Sequence, residues 1–349
     1  MRRVVQWTTG NVGRESLKAI VANPGLELVG CYAWSPSKVG LDVGELAGIE
    51  PVGVVATDDV AALLALRPDC VVYNPMWPNA DELVGILAAG INVVSTAAFI
   101  TGARLGADRD RIVAACETGG SSMLGTGISP GFAELFALTA AGLCSRIDKV
   151  SVHETADTTF YDSPDTERPA GFGRPIDDPE LAGMATAGTA VFGEAVAMVA
   201  DALGVELDEI LCEEEYAQTT EDLEMASWTI PAGHVAGVAA SWQGRVGDRT
   251  LVELSVRWKK GTTLDPDWVI ERDGHVIEIQ GLPTVTTTLE FMPPPDFAGE
   301  TLEDFMTIGH IITAMPAVNA ISAVVAASPG IVTYADLDMP LPRGWVSTT

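Results

Sequence analysis

Residues 5–16 read VQWTTGNVGRES: a β-rich run, two glycines three apart, then a helix-like run. That order of residue types suits one piece of chemistry, in which backbone N–H groups at the start of a helix grip the pyrophosphate of a dinucleotide. The full fingerprint is G-x-G-x-x-G. Here Thr8 stands at the first glycine position, and Gly10 and Gly13 fill the second and third. The middle glycine admits the phosphates, and the last lets helix and strand pack closely. Thr8, Thr9, Gly10, Asn11, Val12 and Gly13 are therefore candidate cofactor contacts, the alternative being a tight turn with no ligand.

A second stretch, CYAWSPSKVG at 31–40, ends the next strand-like run. An acidic residue there would bind ribose hydroxyls and repel a 2′-phosphate. None is present, whereas Ser35, Ser37 and Lys38 can donate to a phosphate, so NADP is expected, with NAD the lesser choice. The loops YNPMWP at 73–78 and STAAF at 95–99 follow later strands at the end where such ligands bind. They add Asn74, Pro75, Ser95 and Thr96 as candidate ribose or nicotinamide contacts, and GISPGF at 127–132 adds Ser129.

Candidates for proton transfer lie in VSVHETADTTFY, residues 150–161. Alternate residues of a strand share a face, so His153, Thr155 and Asp157 are expected on one side and Glu154 on the other. Glu154, a His153–Asp157 pair or Tyr161 could move a proton; an ordinary polar sheet face is the alternative. His310 either lines a cleft or is a buried structural histidine. Asn319 either bonds the nicotinamide or substrate, or caps backbone near Pro316. Met76, Trp77, Phe99, Phe132, Phe160 and Trp228 suit an apolar pocket or a plain core. The Cys and His spacings match no metal-ligand pattern.

These residues need elements to hold them. In the first part of the chain, short apolar runs at 3–7, 26–33, 52–55, 69–73, 92–95 and 122–125 alternate with helical patterns. Such alternation predicts a parallel sheet covered on both faces. A helix is expected from Pro130 to about Cys144. After about Lys149 the texture becomes that of an antiparallel sheet, with strands expected at 210–219, 234–244, 249–259, 268–270, 275–280 and 284–291. One long helix is expected at 179–203, beyond a loop at 163–179. The last helix pattern, 302–327, contains Pro316 and is expected to kink or divide there. The fold class is thus α/β, a Rossmann-type parallel sheet plus a second α+β domain with an open mixed or antiparallel sheet. Residues 1–146 and 302–349 are assigned to the first domain and 147–301 to the second.

Composition narrows the function. The 349 residues carry 48 acidic and 20 basic side chains, a formal charge of −28. No Lys/Arg cluster suited to phosphate backbones is present, so nucleic acid is not an expected partner. The five cysteines form no C-x-x-C pair and read as buried free thiols of a reducing compartment. No run reaches the roughly 18 apolar residues of a membrane span. A cytoplasmic protein is expected, with no membrane partner.

Three segments together resemble one family: WTTGNVGRESL, GTGISPGFAEL at 125–135, and AMPAVNAISAVVAASPGIVTYADLDMP at 314–340. They look like the dihydrodipicolinate-reductase-like group that includes 2,4-diaminopentanoate dehydrogenase and the native amine dehydrogenases. The resemblance implies a Rossmann domain, a second domain with an open mixed sheet, a C-terminal helix returning to the first, an active site in the cleft and a homodimer. It also implies hydride transfer between NAD(P)H and a C=N or C=O carbon, with reductive amination in the amine dehydrogenases. Two departures stand out. The paired histidines of true dihydrodipicolinate reductases are missing, since His153, His234, His275 and His310 are isolated. The catalytic glutamate expected after the fifth strand is replaced by Ala97, Ala98 and Phe99. The leading expectation is an NADP-dependent oxidoreductase of small, mainly apolar carbonyls, imines or amines. The alternative is a non-catalytic NADP(H)-binding sensor or assembly protein.

Overall fold

The computed structural model of the chain describes every residue except Ala98, Glu300 and residues 347–349. The chain divides into two compact units, one made of residues 1–132 together with those from 307 onward, the other of Ala133–Met306.

The first unit is built on β1 (Arg2–Trp7), β2 (Leu26–Tyr32), β3 (Ala56–Thr57), β4 (Cys70–Tyr73), β5 (Asn92–Ser95) and β6 (Ser122–Gly125). They lie in the order β3-β2-β1-β4-β5-β6, extended past β6 by the strand Gly330–Val332, and every pairing is parallel. This is the doubly wound order in which the chain reverses direction across the sheet between β1 and β4. Val4, Val5, Val71, Val72, Val93, Val94, Met123 and Leu124 are buried, as the strands of a sheet covered on both faces must be. The expected strand at 52–55 is absent. The Asp42 carboxylate takes the N–H groups of Val52 (3.0 Å) and Gly53 (2.7 Å), so the ladder begins only at Ala56.

The Leu302–Ala326 helix is not divided at Pro316, and Ala314, Ala317, Val318, Ala320, Ile321 and Val324 around it are all buried. The same helix, over Asp304–Ala326, has the length and apolarity of a membrane span, which the count of consecutive apolar residues missed because Thr307, His310, Thr313 and Asn319 interrupt it. A buried core helix meets the same criterion.

The second unit holds β7 (Arg146–Asp157), β8 (Glu209–Thr219), the small ribbon β9 (Leu223–Glu224) and β10 (Thr229–Ile230), then β11 (Val235–Val246), β12 (Arg249–Lys259), β13 (Leu264–Asp265), β14 (Gly274–Leu282) and β15 (Val285–Leu289). Its main sheet runs β13-β8-β11-β12-β7-β14-β15. The β7–β12 pair is parallel and the others antiparallel, so the sheet is mixed. The helices Ala133–Ala141 and Val191–Ala202 pack on it. The first of these starts at Ala133 rather than Pro130, because Ser129, Pro130 and Gly131 hold non-helical backbone angles. This helix packs on β7 and β14 and lies in the second compact unit, which begins at Ala133. The segment 268–270 forms no strand: Trp268 is a core plug under Arg257, 4.7 Å from its ring. The helix expected at 179–203 is two, Met184–Gly188 and Val191–Ala202, parted where the Thr189 hydroxyl accepts the Trp242 indole N–H at 2.9 Å.

Candidate functional site

Strand register in the first unit brings the loop residues together. Thr57, Tyr32, Trp7, Tyr73, Ser95 and Gly125 are aligned across β3-β2-β1-β4-β5-β6. Each marks the carboxyl end of its strand, the edge at which open α/β sheets bind ligands. The residues just past them are therefore neighbours: Thr8–Gly13 after β1, Trp34–Lys38 after β2, Asn74 and Pro75 after β4, Thr96 after β5.

The Thr8–Gly13 turn has the shape a pyrophosphate needs. Thr8 adopts φ +73°, the left-handed region that glycine usually supplies, so the departure from the fingerprint is borne as backbone strain. Its N–H still reaches Tyr32 O at 3.0 Å. A Cβ at Gly13 would lie 2.6 Å from Thr8 O and 3.2 Å from Gln6 Nε2, so the Asn11–Ala22 helix sits against β1 closely enough to demand glycine. A Cβ at Gly10 would meet nothing within 4 Å. Gly10 is the helix N-cap, no side chain caps the helix and its first turn holds no acid, which leaves first-turn N–H groups for an anion. Two buried oxygens, Thr8 Oγ1 and Gln6 Oε1, have no partner among the described residues. Asn11 is exposed and bonds Arg14, and Val12 is half-buried. A dinucleotide phosphate fits this cradle.

Lys38 reaches back across this edge, its ammonium donating to Thr9 O at 2.9 Å and Thr9 Oγ1 at 3.0 Å. Ser35 and Ser37 join their hydroxyls at 2.8 Å. The buried Gln6 amide donates to Thr8 O (3.0 Å) and to Asn74 Oδ1 (2.7 Å), and Asn74 Nδ2 donates to Thr96 Oγ1 at 2.9 Å. This chain ties the ends of β1, β4 and β5 together. Gln6 was missed by sequence reading, although a glutamine inside an otherwise apolar strand was the available signal.

Other candidates are placed differently. Ser95 is fully buried and its hydroxyl accepts the Ala97 N–H at 3.0 Å, so it has no surface for a ribose. Asn319 accepts the Trp345 indole N–H at 2.7 Å. Pro75 and Ser129 are half-buried, as is His310 in its helix. Ala97 and Phe99 are buried core residues, and Ala98 lies outside the described residues. Met76 and Trp77 are exposed past β4. Cys31, Cys70 and Cys116 are buried, and burial pushes the Cys31 thiol up to about 12 and Cys116 to about 11; Cys144 and Cys212 are only half-buried, against expectation.

In the second unit, pairing confirms opposite faces for His153 and Glu154: Glu154 lies beside Val256 and His275, and His153 beside Ser255. Glu154 accepts the Trp258 indole N–H at 2.8 Å, and its other oxygen lies 3.3 Å from His275 Nε2, at an ion-pair distance without hydrogen-bond alignment. Burial pulls the His275 pKa down, and the Glu154 carboxylate outweighs it, so the net shift is upward. Glu154 is thus the partner of a buried histidine. His153 shares a 2.7 Å bond with Ser255 Oγ, and burial lowers its pKa. The His153–Asp157 pair does not form: four residues along a strand span roughly 13 Å, and Asp157 instead accepts the Thr159 N–H at 3.0 Å. Tyr161 is partly exposed, its hydroxyl 3.4 Å from Thr166 Oγ1. Phe160 is exposed, Phe132 half-buried, and Trp228 lies under the Arg168 guanidinium, 5.1 Å from its ring.

Sequence reading missed Lys260 altogether. Its ammonium is fully buried and donates to Thr158 O, Tyr161 O and Glu167 Oε1, each at 2.6 Å. It clamps the Thr158–Ser163 loop that carries Phe160 and Tyr161.

Residues 132–349 match the family described as 2,4-diaminopentanoate dehydrogenase C-terminal domain, and residues 1–94 match dihydrodipicolinate reductase, N-terminus. An amine dehydrogenase of Streptomyces virginiae is 33% identical, with 98% of this chain and 97% of that protein covered. The 2,4-diaminopentanoate dehydrogenase of Acetoanaerobium sticklandii is 25% identical over 75% of this chain and 70% of its own. The solved amine dehydrogenase of Mycobacterium smegmatis shares the fold with a TM-score of 0.79 at 20% identity, covering 98% of each chain.

Proposed function

This chain belongs to the 2,4-diaminopentanoate dehydrogenase family, a group of NAD(P)-dependent oxidoreductases, and from that premise we propose that it transfers a hydride between NADP(H) and the C=N or C=O carbon of a mainly apolar amine, imine or carbonyl compound. The observation that carries the cofactor half is the Thr8–Gly13 turn at the reversal between β1 and β4, with Gly13 sterically required and the space before Gly10 clear. The bound nicotinamide supplies the hydride chemistry. The protein's part is to hold the phosphates on the first-turn N–H groups and to fix the turn through Lys38 and Gln6. The preference for NADP rests on the acid-free loop with Ser35, Ser37 and Lys38. The apolar substrate rests on Met76, Trp77 and Phe160, exposed in their own units.

A fluorescence titration of the purified protein with NADPH and NADH, followed by NADPH oxidation with a panel of ketones and imines with and without ammonia, tests this reading. If neither cofactor binds, it falls. Lys38→Met is expected to cut the ratio of NADPH to NADH affinity by about tenfold, the worth of one charge-assisted hydrogen bond; an unchanged ratio removes Lys38 as the phosphate reader. Of the four side chains proposed for proton transfer, Tyr161 is the most loosely held, its hydroxyl 3.4 Å from Thr166 Oγ1 where Glu154, His153 and Asp157 hold bonds of 2.8, 2.7 and 3.0 Å, and it is the one to test first. Tyr161→Phe is expected to lower kcat by about 100-fold with NADPH affinity unchanged in the same titration, and full activity in that variant removes the assignment.

Ala97 and Phe99, buried where a family carboxylate is expected, favour a second reading, an NADP(H)-binding protein without turnover. Net NADPH oxidation with any substrate of the panel excludes it.

A further inference from the structure

The register that sets the nucleotide turn at one edge of the sheet sets Trp34 there too. It is the second residue past β2, immediately before Ser35. Ala33 beside it is 2% exposed, yet the Trp34 indole is 71% exposed and has no hydrogen bond or ring contact among the described residues. The loop carrying it is nonetheless fixed. Lys38 N and Val39 N donate to Ser35 O at 2.9 and 3.2 Å, Gly40 N donates to Ala56 O at 2.9 Å, and Lys38 Nζ ties the loop to Thr9. A large aromatic face is held out in water on a rigid support, beside the turn.

We propose that Trp34 is the platform on which the adenine ring of the nicotinamide cofactor stacks; the inference rests on the cofactor reading above. Covalent geometry supports it. The residues past β2 are those that meet the adenosine ribose at its 2′ oxygen. Adenine is bonded to the neighbouring carbon of that ribose, so a base whose ribose lies at Ser35–Lys38 must lie within a few ångströms of them. Trp34 presents the flat apolar surface at that place, and a stacked base needs no hydrogen-bond partner to be held. The other exposed indole of this edge, Trp77 at 56%, follows β4 on the opposite side of β1 and serves as its control.

The test uses the full chain and two probes without nicotinamide, ADP and adenosine 2′,5′-bisphosphate, together with NADPH. Calorimetry on Trp34→Ala is expected to show about tenfold weaker binding of NADPH and of whichever adenosine probe binds, the worth of one stacked base, and Trp34→Phe is expected to restore most of it. Adenosine-probe quenching of indole emission is expected to vanish in Trp34→Phe and to persist in Trp77→Phe. Because Trp34 is exposed, the thermal midpoints of these variants are expected to match the unaltered protein. Undiminished affinity in Trp34→Ala, or quenching that survives in Trp34→Phe, overturns the adenine platform and leaves the cofactor reading standing. Failure of the unaltered protein to bind NADPH or NADH removes both.

Discussion

Gly13→Ala is expected to weaken NADPH binding by about 100-fold and to destabilise the first unit by about 1–3 kcal/mol. The added methyl lies 2.6 Å from Thr8 O and 3.2 Å from Thr8 C, which are backbone atoms, and 3.2 Å from the Gln6 amide, which is itself committed to Thr8 O and Asn74. None can retreat cheaply. Thr8 already sits at φ +73°, so the turn has little conformational slack to absorb a displacement. The helix must move away from β1 instead, and its first-turn N–H groups move with it by a distance comparable to the overlap. Gly10→Ala is the companion experiment. Its methyl meets no protein atom within 4 Å and its φ of −72° suits alanine, so stability is expected to fall by no more than about 1 kcal/mol, the N-cap preference for glycine over alanine, while NADPH affinity falls through a clash with the phosphates. Thermal melts and calorimetric titration of both variants decide the matter. If Gly10→Ala binds NADPH as tightly as the unaltered chain, the pyrophosphate does not sit at this turn.

The contrast between those glycines also shows what a sequence can and cannot carry. The β1 strand, the turn and the helix after it were legible because their signals are local: a β-rich run, glycines at fixed spacing, apolar periodicity. The alternation of strands and helices likewise carried the parallel sheet. Contacts between distant residues were not legible. Lys38 meets Thr9 across 29 positions, and Gln6 meets Asn74 across 68; both depend on strand order and register, which periodicity does not state. Face assignment from alternation worked for His153 and Glu154. The His153–Asp157 pair failed because sharing a face says nothing about distance along an extended strand. Glu154 failed as a free acid because its partner His275 arrives from β14, more than a hundred residues later. Lys260 had a readable signal that was passed over. Counting by twos from Val252 through Leu254, Val256 and Trp258 puts Lys260 on the buried face, whereas its neighbour Lys259 faces outward, and the pair looks like ordinary surface charge.

That buried lysine is where substitution is expected to harm the fold most. Lys260→Met is expected to destabilise the second unit by about 3–5 kcal/mol, since removal of one partner leaves the other charge buried without compensation; for a unit of this size the melting midpoint drops by about 10 °C. Desolvation lowers the Lys260 pKa and raises that of Glu167, and in each case the partner's charge opposes the shift. The environment therefore penalises both ions, and their pairing, with the two carbonyls of Thr158 and Tyr161, offsets the penalty. The pH dependence follows with a definite sign. A carboxyl whose folded pKa lies above its ordinary 4.5 holds its proton longer in the folded chain, so its contribution to stability is lost as pH rises through the raised value. Without Lys260 the raised value moves higher still. The deficit of Lys260→Met relative to the unaltered protein is thus expected to be larger at pH 8 than at pH 5, because falling pH favours the uncharged carboxyl of Glu167. Lys260→Met/Glu167→Leu removes the stranded charge and is expected to recover part of the loss, the remainder being the two carbonyls left without a donor. Thermal melts of the three proteins at both pH values measure this directly. A deficit that is equal at pH 5 and pH 8 and unrelieved by the second substitution would mean that packing, rather than the buried charge of Glu167, sets the cost.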